Sequence, residues 1–464
     1  MTALAIARSS FITSLLRYSR SWGLWLLLLV APVGARFMIS NDEGQGIQIA
    51  VGQHLPVMTS AVLGVSLGVV VSTLLLPIGY IFLRSNTTRN QPWQVEEVTA
   101  ASRIAISLGR FAADVAVFFA MLTALTLAGW FLGWLIVTGP YNIWHITLGL
   151  WIVAAPALMG LAAIRQVFVA LPFARRGFGD FLYFVMWMAS IIVPTAATGR
   201  PSSFAVNMYD FTGFLRPLIA GAPMNDDTEI SIGGDNNIKP GRVPLDVMVG
   251  IAAPGYVQSR LAWAGIAVVL AALAGLFYRP HTARQRKQRL AWVGRWLQPG
   301  APPVADLAAP TARPVALPFV RLIVAEFRLI GAGRLFLILA GAAALAGLFG
   351  DFRHIGSPAA LLLLIFGLTA HAGRSEARGL LILTQTALMP PMARRIAFVI
   401  AGVAWAMLLA LPAVVAEQSL TPLGLGLATG AVAALIATAL ASISHSGFAP
   451  RMVLLILWYG YLST

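Results

Sequence analysis

From residue 22 to the C-terminus, runs of apolar residues recur along the whole of this 464-residue chain, and they constrain its fold more than any other feature. They lie at 22–39, 61–83, 111–137, 144–164, 181–193, 261–278, 335–349, 359–370, 396–415, 423–443 and 452–462. Most approach the roughly 20 residues that carry a helix across a hydrocarbon core of about 30 Å. None shows the sustained dyad alternation of an outer-membrane barrel. With 58% of residues hydrophobic, 11% charged and a mean hydropathy of +0.81, a water-soluble fold could not hide so much apolar surface. The same composition excludes a disordered chain. The expected class is an all-α polytopic membrane protein with about eleven transmembrane helices.

Charge placement sets the expected orientation. With the N-terminus cytoplasmic and the spans alternating, 25 of the 32 lysines and arginines fall on the inner side. Ten of these lie between residues 279 and 334 alone. Such asymmetry is a positive-inside signal. It accounts for the formal charge of +15 without a nucleic-acid partner: the run RPHTARQRKQRLAWVGR from Arg279 reads as an anchor for anionic lipid headgroups of the bilayer. The stretch 1–35 has some features of a secretory signal, but its 20-residue amphipathic lead-in with Arg17 and Arg20 is long for one, and it is read as retained.

A Pro/Ala-rich segment follows the basic run, so the chain is expected to comprise a first membrane half at 1–290, a cytoplasmic linker at 291–318 and a second half at 319–464. The halves share an order of features. Each begins with an arginine-bearing amphipathic segment, FITSLLRYSRSWGLWLLLL from Phe11 and FVRLIVAEFRLIGAGRLFLIL from Phe319. Each then has a second span, an inside loop and a third span. GFGDFLYFVMWMASII from Gly177 corresponds to GFAPRMVLLILWYGYL from Gly447. The first half adds an outside segment at 200–260 and a sixth span, giving six plus five.

Several chemistries are disfavoured by what the chain lacks. Zero cysteines exclude disulfides and thiolate sites. The six histidines are scattered without His-Glu-x-x-His, and no Gly-x-Ser-x-Gly elbow is present. The two lysines, Lys239 and Lys287, fit no phosphate-binding loop, so no ATPase, cofactor or metal site is expected in this chain. The acidic run MNDDTEISIGGDNN holds Asp226, Asp227, Glu229 and Asp235 but lacks EF-hand spacing, and reads as a solvated loop. Asp114 is the most interior acid and the one candidate intramembrane polar site. It lies one helical turn from Arg110, which makes an i,i+4 ion pair the structural reading beside a proton or substrate site. Pro77 predicts a kink in the second span.

The two inside loops carry the sharper signal. RSNTTRNQPWQVEEVTAASRIAISLGR (84–110) and HAGRSEARGLLILTQTALMPPMARR (371–395) each contain a short helix-forming stretch, at 95–107 and 376–389. Here the sequence resembles the permeases of ATP-binding cassette (ABC) exporters of the type-2 class. In that family an amphipathic helix precedes the first span, and the loop between spans two and three carries a coupling helix. The second loop fits its pattern through Glu376, Arg378 and Gly379, a leucine-rich middle reaching Gln385, Pro390, and Arg394–Arg395. The first fits through Gln94, Glu96, Glu97 and Arg103 but has no glycine at the expected distance after the glutamates. The family forms short exit-side helices in the region of 200–260. The resemblance implies a non-enzymatic transport subunit of the cell's inner membrane. Cytoplasmic ATPase subunits that bind the ATP would dock on these loops, with a further membrane or periplasmic subunit as an additional partner. A secondary transporter with internal repeats, or an integral lipid or glycan transferase, stand as the alternatives.

Overall fold

A computed structural model describes residues 2–20, 24, 25, 28, 34–39, 47–52, 54–89, 101–171, 174, 177–221, 230–233, 241–278, 317–349, 352–374, 390–445 and 447–462. About 80% of the described residues are helical. Among the described residues seven helices are long and apolar enough to cross a membrane, and nine if each of two bent pairs is one span. A multi-pass helical membrane protein follows. Half of the span expected at 22–39 lies outside the described residues, as do most of the 291–318 linker and the loops at 90–100 and 375–389. The 452–462 run falls in a shorter apolar helix. The chain divides into two compact units, Met1–Pro280 and His281–Thr464.

In the first unit, α1 (Ala3–Ser19) is capped by Thr2 and packs along α4 (Arg103–Ile136). Between them in sequence, α2 (Ser60–Thr73) and α3 (Leu76–Arg89) form an apolar helix pair bent by 49°. The bend falls at Pro77, which has no N–H to give the carbonyl of Thr73 four residues back. Every residue of α2 is buried, as befits a helix apolar on all sides and surrounded by protein. It crosses α5 (Ile143–Ala170) through a small-residue seam of Gly64, Gly68 and Gly149. Helix α6 (Gly177–Ile192) continues through a 3-10 turn, Val193–Ala197, so that the short run at 181–193 becomes a 20-residue apolar span. Helix α4 has 34 residues and begins at Arg103, capped by Ser102. Residues 103–107, expected in a separate loop helix, are therefore the start of this long apolar helix. Its stripe of Leu127, Phe131 and Trp134 is exposed, as the lipid-facing side of a bundle should be.

The segment between α6 and α10 (Tyr256–Phe277) carries short helices, α7 (Phe204–Asn207), α8 (Leu215–Ile219) and α9 (Val247–Ile251). It also holds strands, which the sequence reading did not include. Strand β1 (Gln48–Val51) pairs antiparallel with β3 (Ile230–Gly233), Gln48 opposite Gly233, and β2 (Leu55–Pro56) pairs parallel with β4 (Arg242–Val243). Part of the acidic run read as solvated loop, Ile230–Gly233, is thus a paired strand.

In the second unit, amphipathic α11 (Pro318–Ile330) meets α12 (Arg334–Phe349) at an 87° turn. Gly331 and Gly333 make the turn: a Cβ on Gly331 would lie 2.2 Å from the Trp405 ring, and Gly333 has a φ of +114°. Helix α13 (Ser357–His371) precedes residues 375–389, and α14 (Pro391–Glu417), α15 (Thr421–Ser444) and α16 (Phe448–Leu462) follow them. Phe327 of α11 stacks on Trp405 of α14 at 4.5 Å, and the Trp405 indole donates to the Phe327 carbonyl at 2.8 Å.

One set of pairings recurs inside both units. The lead-in helix packs on the span after the loop, α1 on α4 and α11 on α14. That span packs on the next, α4 on α5 and α14 on α15. The span before the loop packs on the two last of the set, α2 on α5 and α6, and α13 on α15 and α16.

Candidate functional site

Polar side chains buried in the first unit gather in three clusters, and two of them lie where α5 ends and α6 begins. Asp114 is 1% exposed and takes bonds from three side chains on other helices: Arg165 at 2.7 Å, Gln166 at 3.0 Å and Tyr18 at 2.5 Å. Its ion pair thus reaches across helices to Arg165, where the sequence pointed only along the helix to Arg110. Arg165 itself, expected in an inside loop, sits within α5. Burial, and then the neighbouring Asp114 carboxylate, push the Tyr18 phenol above its ordinary range, so it stays a donor. Nearby, Arg84 pairs with Asp180 at 3.0 Å, Tyr80 donates to the same carboxylate at 3.3 Å, and Tyr18 stacks on Phe82.

The third cluster shapes the loop at 207–216. The Asp210 carboxylate accepts from the Thr212 hydroxyl and from the backbone N–H groups of Gly213 and Leu215 at 3.0, 2.7 and 2.8 Å. Arg260, 2% exposed, donates to the carbonyls of Phe211, Asn207 and Asp210, and Tyr256 donates to the Gly213 carbonyl. Arg216 donates to Asn207 Oδ1 and to the Arg200 carbonyl; burial lowers its guanidinium pKa, against the opposing pull of Asp210. These acids and arginines hold a loop in shape.

Between the ends of the bundle, α3, α5, α6, α10 and that loop enclose a cleft of about 430 Å³. Leu161 and Ile164 of α5, Met186 and Trp187 of α6, Ile266 and Leu270 of α10, and Tyr209 and Phe211 of the loop line it. Gly160 admits Phe211, since a Cβ there would lie 2.5 Å from the ring. Phe211 in turn meets Trp263 edge to face at 5.1 Å. At the other end Tyr183 stacks flat on Tyr80 with centroids 3.8 Å apart.

Trp187 explains how the cleft wall is fixed. Its indole donates at 2.6 Å to the Thr73 carbonyl, the acceptor orphaned by Pro77. Trp187→Phe is expected to strand that carbonyl in an apolar interior and cost about 1–3 kcal/mol. Thermal unfolding of the purified protein checks it, with Trp151→Phe as the comparison for loss of an indole that bonds only a hydroxyl.

Among the described residues of the lining, alkyl, thioether and aromatic groups dominate, and none is Asp, Glu, His, Lys or Arg. The arrangement can therefore hold an apolar body by exclusion of water and direct it by hydrogen bonds.

No protein-family model, curated protein or solved structure matches the chain.

The residues singled out from the sequence divide sharply. Gln94, Glu96, Glu97, Glu376, Arg378, Gly379 and Gln385 lie outside the described residues, as do Asp226, Asp227, Glu229 and Asp235. Arg103 opens α4 and donates to the Tyr278 carbonyl at 3.2 Å. Asp114 is central to a buried cluster, and Asp246 caps the N–H of Met248. The cleft itself was not anticipated. Its nearest sequence signal is the density of aromatic residues at 183–187 and 209–211, together with Gly160 facing them.

Proposed function

We propose that the chain is the membrane-spanning permease subunit of an ATP-driven exporter of the type-2 ABC class, moving an amphiphilic or lipid-like substrate outward. It would have about eleven spans in two related halves of six and five, with the N-terminus cytoplasmic, in the cell's inner membrane. The observation that carries this reading is the repetition of one set of helix pairings in both units, each with its inside loop between the second and third spans. Separate ATPase subunits would dock on 94–103 and 376–389, because no phosphate-binding loop is encoded here. Closure of the ATPase pair would then push on the helices that those loops join. The lead-in helix and the following span in each half are packed together, so they would move as one body: Tyr18 is bonded to Asp114, and Phe327 to Trp405. The apolar cleft supports an amphiphilic rather than an ionic cargo.

Reconstitution tests the reading. The chain is placed in proteoliposomes alone and with an ABC ATPase that co-purifies with it, and movement of a fluorescent lysolipid is followed. Movement is expected only with both proteins and ATP. Glu376→Ala should abolish it while the chain still inserts. Movement by the chain alone, driven by a proton or sodium gradient, overturns the proposal.

A further inference from the structure

Helix α11 has two faces of different character. Phe319, Leu322, Ile323, Phe327 and Ile330 are half-buried or buried, on the side that packs against α13 and α14. Glu326 shares that side and pairs at 3.5 Å with Arg374, just beyond the end of α13. The described residues leave the other face exposed, with Pro318, Val320, Arg321, Val324, Ala325 and Arg328 upon it. At 3.6 residues per turn these six spread over about 160° of the helix circumference. Around it they fall in order: Val320 and Val324, then Arg328 and Arg321, then Ala325 and Pro318. An apolar strip, a cationic strip and a strip of small residues thus run side by side. The two arginines stand two turns apart, about 10 Å along the axis. Neither makes a hydrogen bond or an ion pair among the described residues.

The order of the strips identifies what covers them. After Arg334, α12 carries no charged residue and packs on α13 and α14, so it lies with the apolar helices of its unit. The 87° turn then lays α11 across them, in the plane of the bilayer. In that attitude the valine strip meets acyl chains, the arginine strip meets headgroups, and Ala325 and Pro318 meet water. A soluble acidic partner would answer the arginines and leave the valines in water. A zwitterionic lipid would cover the valines and bring the arginines no net counter-charge. An anionic lipid satisfies both strips at once, since its phosphate suits the arginine fork. We propose that the exposed face of α11 is a docking surface for anionic phospholipid, with Val320 and Val324 among the acyl chains and Arg321 and Arg328 on the phosphates. The surface goes beyond the export reading and does not rest on it.

The chain has no cysteine, so a thiol introduced at an exposed position can be labelled alone. The full chain carrying Val324→Cys is labelled with bimane and placed in nanodiscs. These contain phosphatidylcholine and phosphatidylglycerol, and one lipid or the other bears brominated acyl chains that quench the dye on contact. Phosphatidylglycerol should quench at a mole fraction about fivefold or more below that of phosphatidylcholine, the preference that each arginine at a membrane surface confers. High salt should shrink that preference. The double variant Arg321→Gln with Arg328→Gln should abolish it and leave quenching by phosphatidylcholine in place. Both positions are exposed, so the variant is expected to elute and melt as the parent does. Bimane at Ala325→Cys should be quenched by aqueous iodide instead. Bimane at Phe131→Cys, on the lipid-facing stripe of α4, should be quenched equally by the two lipids. Quenching of the Val324→Cys label by neither lipid would mean that protein covers this face, a second copy or another subunit, and overturns the proposal. Equal quenching by the two lipids at Val324→Cys overturns it as well, and so does a preference that survives loss of both arginines.

Discussion

Replacing Asp114 with alanine is expected to lower the stability of the first unit by about 3–5 kcal/mol, the cost typical of breaking a buried ion pair by removing one partner. The cost comes less from lost attraction than from what remains. Arg165 is 6% exposed and would keep its charge in an apolar bundle with its carboxylate gone. Tyr18 and Gln166 would lose the acceptor that their bonds to Asp114 now use. Asp114→Asn keeps the shape and one acceptor, so its effect should be smaller. The deciding variant is the double substitution Asp114→Ala with Arg165→Met, which removes both charges and leaves an apolar pair. It should recover much of the loss. Thermal unfolding of the detergent-purified protein, followed by tryptophan fluorescence, gives all three values. If the single and double variants fall equally, the ion pair is not what holds α1, α4 and α5 together. A site for transported protons makes a different demand, because Asp114→Asn would then abolish movement in proteoliposomes without altering the melt.

How legible these features were in the sequence depends on the distance over which each is decided. The membrane class was legible because about 20 successive apolar residues suffice to define a span, and Pro77 announced its bend through a donor that it lacks. Asp114 was legible as an odd residue, but its partner was not. Arg165 lies 51 positions away, and only the packing of α4 on α5 brings it near. The same limit hid the pairing of β1 with β3, since residues 48–51 and 230–233 meet across most of the unit. Arg260 read as an ordinary outer-side charge until its carbonyl partners at 207–211 came into view. The cleft was hidden for another reason. In an apolar run, Tyr183, Trp187 and Trp263 look like lipid-facing or interfacial aromatics, and only the packed structure shows Trp187 bonded to the Thr73 carbonyl and all three beside one cleft.

The seam between α2 and α5 carries the second large expected effect; the sequence holds a Gly-x-x-x-Gly at Gly64 and Gly68 that the sequence reading passed over. A Cβ added to Gly64 would stand 2.4 Å from the carbonyl oxygen of Ile146 and 2.7 Å from its Cα. Those are backbone atoms of α5, so no rotamer change relieves the clash. The facing position is equally tight: a Cβ on Gly149 would lie 2.9 Å from the backbone nitrogen of Val65. Gly64→Leu must therefore push apart two helices, one of which is buried on all sides. Overpacking against side chains costs about 1–3 kcal/mol, and against an unyielding backbone the loss should exceed that range. Little folded protein should survive extraction. Gly265→Leu supplies the matched comparison in the same unit, because a Cβ there meets nothing within 4 Å. It should insert, purify and melt like the parent, helped slightly by leucine's better helix propensity. Size-exclusion profiles of the two variants after identical solubilisation separate a specific helix crossing from a general intolerance of larger residues in the bundle. Comparable profiles would mean that α2 and α5 do not depend on their glycine contact.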